Sequence, residues 1–124
     1  MSVPTADDHL TQARANRAHA EWLLATGLGD PATLQWAVTA TYYSALHGLT
    51  AHLMRQGMSA KTHVARRTAL QSPGSGVPRH IIAAYRYLEV RSRGARYELW
   101  MFTPRRVRDL LDQELAVVAA FVGM

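Results

Sequence analysis

No cysteine occurs anywhere in the chain, which excludes a disulfide framework, thiolate metal sites and cysteine nucleophiles, and agrees with a reducing compartment. No run approaches the ~18 consecutive apolar residues that a bilayer-crossing helix needs. The stretch from Met1 to Leu10 carries Asp7 and Asp8 where a secretory leader would have basic and then apolar residues, so the expected location is the cytoplasm. No segment alternates apolar and polar side chains with period two, and neither Asn-Gly nor Asp-Gly occurs, so the signals of β-hairpins are missing. A glycine-rich phosphate loop, a His-Glu-x-x-His pair and a Gly-x-Ser-x-Gly elbow are also absent. Lysine is nearly missing: of 14 basic residues only Lys61 is not arginine.

What is present is the composition of one globular domain. The 124 residues have room for a single core, and 48% hydrophobic against 19% charged residues is far from a disordered make-up. Histidine provides no metal set. His47 and His52 are the closest pair, but five residues turn a helix by roughly 500° and leave them about 140° apart. No metal and no cofactor is expected.

The net charge of +5 is unevenly spread. Residues 1–54 hold two basic residues against four acidic ones, whereas residues 55–108 hold twelve basic residues against only Glu89 and Glu98. From Asp109 onward the chain is acidic. Such a concentration suits an anionic partner such as RNA, because phosphates are contacted mostly by Arg and Lys. The alternative is a solvated face whose arginines pair with carboxylates of the same or another subunit.

Proline and glycine divide the chain into helices. Thr5 caps a helix ending near Thr26 at Gly27, and Asp30-Pro31 starts a second that stops at Gly57. Thr62 caps a short helix over His63 to Leu70, and residues 71–78 form a loop. A fourth helix spans about Pro78 to Ala95, and Thr103-Pro104 opens a fifth that reaches the end. Residues 97–102 read equally as helix or irregular turn. Apolar spacing directs Leu10, Ala13 and Ala20, then Leu34, Val38, Leu49 and Leu53, then Ile81, Tyr85 and Leu88, then Val107, Leu111 and Val118 inward. Trp36, Tyr43, Leu46 and Met54 make the second helix apolar on more than one side. The fold class expected is all-α: an up-and-down four-helix bundle with one additional short helix, in a single domain over 1–124.

Two segments carry a family resemblance. The run Trp36 to His47, with Tyr42-Tyr43-Ser44-Ala45-Leu46-His47 at its end, is followed after Gly57 by Lys61-Thr62-His63-Val64. It resembles the second and third helices of HEPN proteins, and the similarity extends from about Asp8 to Phe121. It marks Tyr42, Tyr43, His47 and His63 as family-motif positions, although Tyr42, Tyr43 and His47 can equally fill the core. The second segment is Arg91-Ser92-Arg93-Gly94-Ala95-Arg96-Tyr97. Ribonucleases of that family carry Arg, a polar residue and then His about five positions later, the Arg steadying phosphate charge and the His moving a proton. Arg96 stands where that His would be, and a guanidinium keeps its proton at physiological pH.

The resemblance therefore implies a non-catalytic, dimeric HEPN-like protein that binds RNA or a partner protein. That partner would be a minimal nucleotidyltransferase or a toxin-antitoxin component. The binding residues expected are Arg91, Ser92, Arg93, Arg96, Tyr97 and Trp100, with no catalytic residue. Tyr97 and Trp100 could stack on bases, or Trp100, Met101 and Phe102 could contact a second subunit. The other reading is a metal-independent ribonuclease that uses Arg91 and Arg96 with a histidine such as His47 or His63 brought from elsewhere in the fold.

Overall fold

The computed structural model describes residues 2–124, and every described element is helical. Helix α1 is Ala6–Thr26, opened by a reciprocal cap in which the Asp8 amide donates to Thr5 Oγ1 at 3.1 Å and the Thr5 amide donates to Asp8 Oδ2 at 2.8 Å. Helix α2 is Pro31–Arg55, with the Thr33 amide donating to Asp30 Oδ2 at 2.9 Å. It ends where Gly57 takes the left-handed conformation (φ 74°), so that the Met58 and Gly57 amides reach the Leu53 and Met54 carbonyls. Helix α3 is His63–Gln71, capped by Thr62. Helix α4 is Arg79–Tyr97, reaching two residues beyond the end that its pattern predicts.

The last helical run, α5, is α-helical over Pro104–Asp109, π-helical over Leu110–Leu115 and α-helical again over Ala116–Val122. The π segment is not legible as an apolar period. Leu110, Leu111 and Leu115 within it are all buried. The expected loop over 71–78 contains one short 3-10 turn, Pro73–Ser75.

Helix α2 is the hub and packs against α1, α4 and α5. Its Leu34, Val38, Tyr42, Ala45, Leu49 and Leu53 are buried, together with Leu88 of α4 and Val107, Leu111, Leu115 and Val118 of α5. Trp36, expected on an apolar stripe, is instead 62% exposed and lines surface clefts with Leu23 of α1 and Tyr97 of α4. Helices α1 and α2 run antiparallel: Ser44 Oγ donates to the Ala13 carbonyl at 2.7 Å, and Arg55 pairs with Asp7 at 2.8 Å. Contacts from Tyr42 to Tyr85 and from Gln35 to the Trp100 carbonyl show the same for α2 and α4. Arg108 of α5 joins Glu21, and Arg14 reaches the Gly123 carbonyl, so α5 is antiparallel to α1. No described helix is long and apolar enough to cross a membrane.

Candidate functional site

The arginines near the end of α4 have different surroundings. Arg91 lies over the Tyr87 ring, 3.2 Å from its centroid, and points along its own helix. Ser92 is fully buried, and its hydroxyl has no hydrogen-bond partner among the described residues, so it does not reach the surface where a ligand would lie. Arg93 is exposed. Arg96 turns inward: it donates to the Tyr43 hydroxyl at 2.9 Å, and its guanidinium sits 5.4 Å from the Tyr43 ring and 5.0 Å from the Tyr97 ring. Trp100 is 40% exposed. Its ring lies on Gly94, where a Cβ would collide with it, and its amide donates to the Gly94 carbonyl at 3.1 Å. Tyr97, Leu99 and Met101 remain largely exposed, and Tyr97 and Leu99 line a cleft with Trp36.

The α2 and α3 positions face other partners. Tyr42 is in the core, with its hydroxyl 3.2 Å from that of Tyr85 and donating to Glu89 at 3.3 Å. Burial, then the neighbouring Tyr85 and Glu89, push its ionisation well above the usual phenol range. Tyr43 receives Arg96. His47 turns to α1, with Nδ1 2.9 Å from His9 Nδ1 and the two rings stacked. Burial first, and then His9 and Arg66, hold His47 below the ordinary imidazole value. His63 lies against Arg66, Nδ1 to Nη1 at 3.4 Å. Neither His47 nor His63 hydrogen-bonds to Arg91, Arg93 or Arg96.

Ion pairs settle how the positive charge is compensated within the chain. Those among the described residues join Arg55 to Asp7, Arg105 to Asp109, and Arg108 to both Glu21 and Asp112. None involves any of the eight basic residues from Lys61 to Arg96. Pairing with carboxylates of the same chain therefore does not account for the basic run from Lys61 to Arg96. Within it, Arg79, Arg86 and Arg93 are all exposed and fall seven residues apart on α4. That spacing drifts only about 20° per step and sets the three side chains about 10.5 Å apart along one stripe. Arg67 of α3 lines a cleft with Arg86, His63 and Glu89 and extends the stripe sideways.

Sequence reasoning misses two features. Arg79 and Arg86 share the period of Arg93, and counting in sevens from Arg93 finds them. Arg66 reads in the sequence as one more surface cation, yet it is only 7% exposed. Its Nε donates to Thr50 Oγ1 at 3.2 Å and its Nη2 to the Ala60 carbonyl at 3.2 Å, while no carboxylate pairs with it. No local signal separates Arg66 from its neighbour Arg67; the difference arises because α3 folds back over the end of α2. No group of His, Asp or Glu able to hold a metal occurs among the described residues. Comparison with protein-family models, with curated proteins and with solved structures finds no match.

Proposed function

We propose that the chain is a HEPN-like four-helix up-and-down bundle, non-catalytic and dimeric, that acts by binding RNA through the outward stripe of α4. The observation that carries this reading is the run of basic residues from Lys61 to Arg96 without one ion pair, three of them aligned as Arg79, Arg86 and Arg93. Uncompensated arginines at regular intervals release counterions when they meet phosphates, and this drives binding without reading sequence. Of the binding residues expected from the sequence, the stripe includes only Arg93. Arg91 and Arg96 are held by Tyr87 and Tyr43, and they contribute field more than contact. What supports the non-catalytic reading is that Arg96 cannot accept a proton and that its guanidinium is already bound by a phenol.

Dimerisation rests on the exposed apolar side chains Trp36, Tyr97 and Leu99, which line one cleft near the end of α4. The same surface could instead receive a protein partner such as a minimal nucleotidyltransferase or a toxin-antitoxin component. Sedimentation at micromolar concentration decides the first point, since a clean monomer removes the dimer.

The test of RNA binding is fluorescence anisotropy with an unstructured RNA over a salt series. On a single strand, each phosphate that is no longer neutralised should reduce the slope of log K against log salt by about 0.7, so replacing Arg79, Arg86 and Arg93 with Ala should reduce it by about 2. The melting temperature should hardly change, because all three side chains are exposed. Unaltered binding by this variant would defeat the reading.

A further inference from the structure

The groove between α1, the end of α2 and the start of α3 stands apart from the α4 stripe and has its own chemistry. It is an open depression of about 870 Å³, within the range of small-molecule pockets. Its polar wall is Arg66, Lys61, Thr50 and the His9–His47 pair; Leu46, Met54 and Met58 form much of its apolar side. No acidic side chain lines it.

Arg66 makes the groove more than a surface irregularity. A guanidinium this deeply buried ordinarily pairs with a carboxylate, because removing a charge from water is costly unless an opposite charge replaces the solvent. Here the acceptors are a hydroxyl, a peptide carbonyl and an imidazole, all able to hold a neutral share of the hydrogen bonds and none able to cancel the charge. Lys61 at the rim adds a second cation. The His9–His47 pair is a donor and an acceptor facing each other through Nδ1, so the ring that accepts keeps an Nε2–H able to donate to a ligand oxygen. A metal cation does not suit this wall, since Arg66 and Lys61 would repel it.

We infer that this groove binds a small amphipathic anion, with an oxyanion head at Arg66 and Lys61 and a short apolar body against Leu46, Met54 and Met58. The head supplies the charge that Arg66 lacks, and the body covers apolar surface that water now meets. This site does not depend on RNA binding.

The experiment titrates the whole chain with hexyl phosphate, octanoate and inorganic phosphate at constant ionic strength, following the imidazole signals of His9 and His47 by NMR and the melting temperature. Hexyl phosphate or octanoate at millimolar concentration should move both imidazole signals and raise the melting temperature, and the more effective of the two identifies the head as phosphate or carboxylate. Lys61→Ala should weaken binding by about threefold, as removal of an exposed ion pair does. Arg66→Met should weaken it by about tenfold or more, as removal of a buried charge-assisted hydrogen bond does. Because Arg66→Met can impair folding, Met54→Trp serves as a second variant that fills the groove: it should abolish the response and keep RNA binding. The inference is overturned if neither organic anion moves the imidazoles, if inorganic phosphate does as well as both, or if Met54→Trp responds like the wild type. Disappearance of the response on replacing Arg79, Arg86 and Arg93 would place the anion on α4 and overturn it too.

Discussion

His9 Nδ1 and His47 Nδ1 meet at 2.9 Å between α1 and α2, so one ring must donate and the other accept, and the contact requires at least one of them to be neutral. His47 is the ring held below its ordinary value of 6.5, by burial foremost and then by His9 and Arg66. Its folded form therefore binds a proton less readily than its unfolded form. The stability this represents is present above pH 6.5 and is lost as pH falls from there through the folded value. Denaturation by urea at stepped pH should show that decline, and His47→Gln should flatten it. An equal decline in the variant would assign the effect to another group.

Gly94 and Trp100 test whether the turn after α4 is held by packing. Alanine is favoured over glycine inside a helix by up to about 1 kcal/mol, so Gly94→Ala should stabilise if the ring were free to move. A Cβ there meets the Trp100 ring, and overpacking of that kind costs about 1–3 kcal/mol. The clash should win and lower stability. In a Trp100→Ala background the same substitution should become neutral or favourable, and additive effects in this double-mutant cycle would show that the ring does not rest on Gly94.

Ser92, a binding residue by its place in the sequence, lies in the core with an unsatisfied hydroxyl. Removing a buried polar atom that has no partner releases its desolvation cost, so Ser92→Ala should leave stability unchanged or raise it by about 1 kcal/mol. RNA affinity should not change. A drop in stability would mean that an ordered water satisfies the hydroxyl.

The all-helical character and most boundaries are legible in the sequence because caps and breakers are local: Thr5, Asp30, Thr62 and Thr103 each start a helix where their short oxygen-bearing side chains can take free amides. The inward positions of α4 and α5 follow from helical period for the same reason. The candidate sites are less legible. That Arg96 seeks Tyr43, that Trp100 folds onto Gly94, and that Arg66 is buried all depend on residues distant in sequence, and α4 offers many arginines with identical local patterns. The π segment is a further case, since it leaves no mark in composition or apolar period.

Glu21 and Arg108 tie α1 to α5 by a two-pronged contact, Nη1 to Oε1 at 2.9 Å and Nη2 to Oε2 at 2.6 Å. The hydrogen bonds from Arg108 hold the Glu21 carboxyl below its ordinary 4.5, and in return they raise the guanidinium. Because the folded value is depressed, the contribution is complete above pH 4.5 and is lost as pH falls through the folded value. Its size is limited by solvent: the two side chains are 43% and 39% exposed, so screening and side-chain entropy leave about 0.5–1 kcal/mol. The wild type should exceed Glu21→Gln by that amount between pH 5 and pH 7, with the gap closing in more acidic solution and narrowing at high salt. Asp112 also holds Arg108, at 3.2 Å, so Arg108→Met should cost more than Glu21→Gln alone. A gap that persists at pH 2, where the carboxyl is protonated, would show that the contribution of Glu21 does not come from its charge.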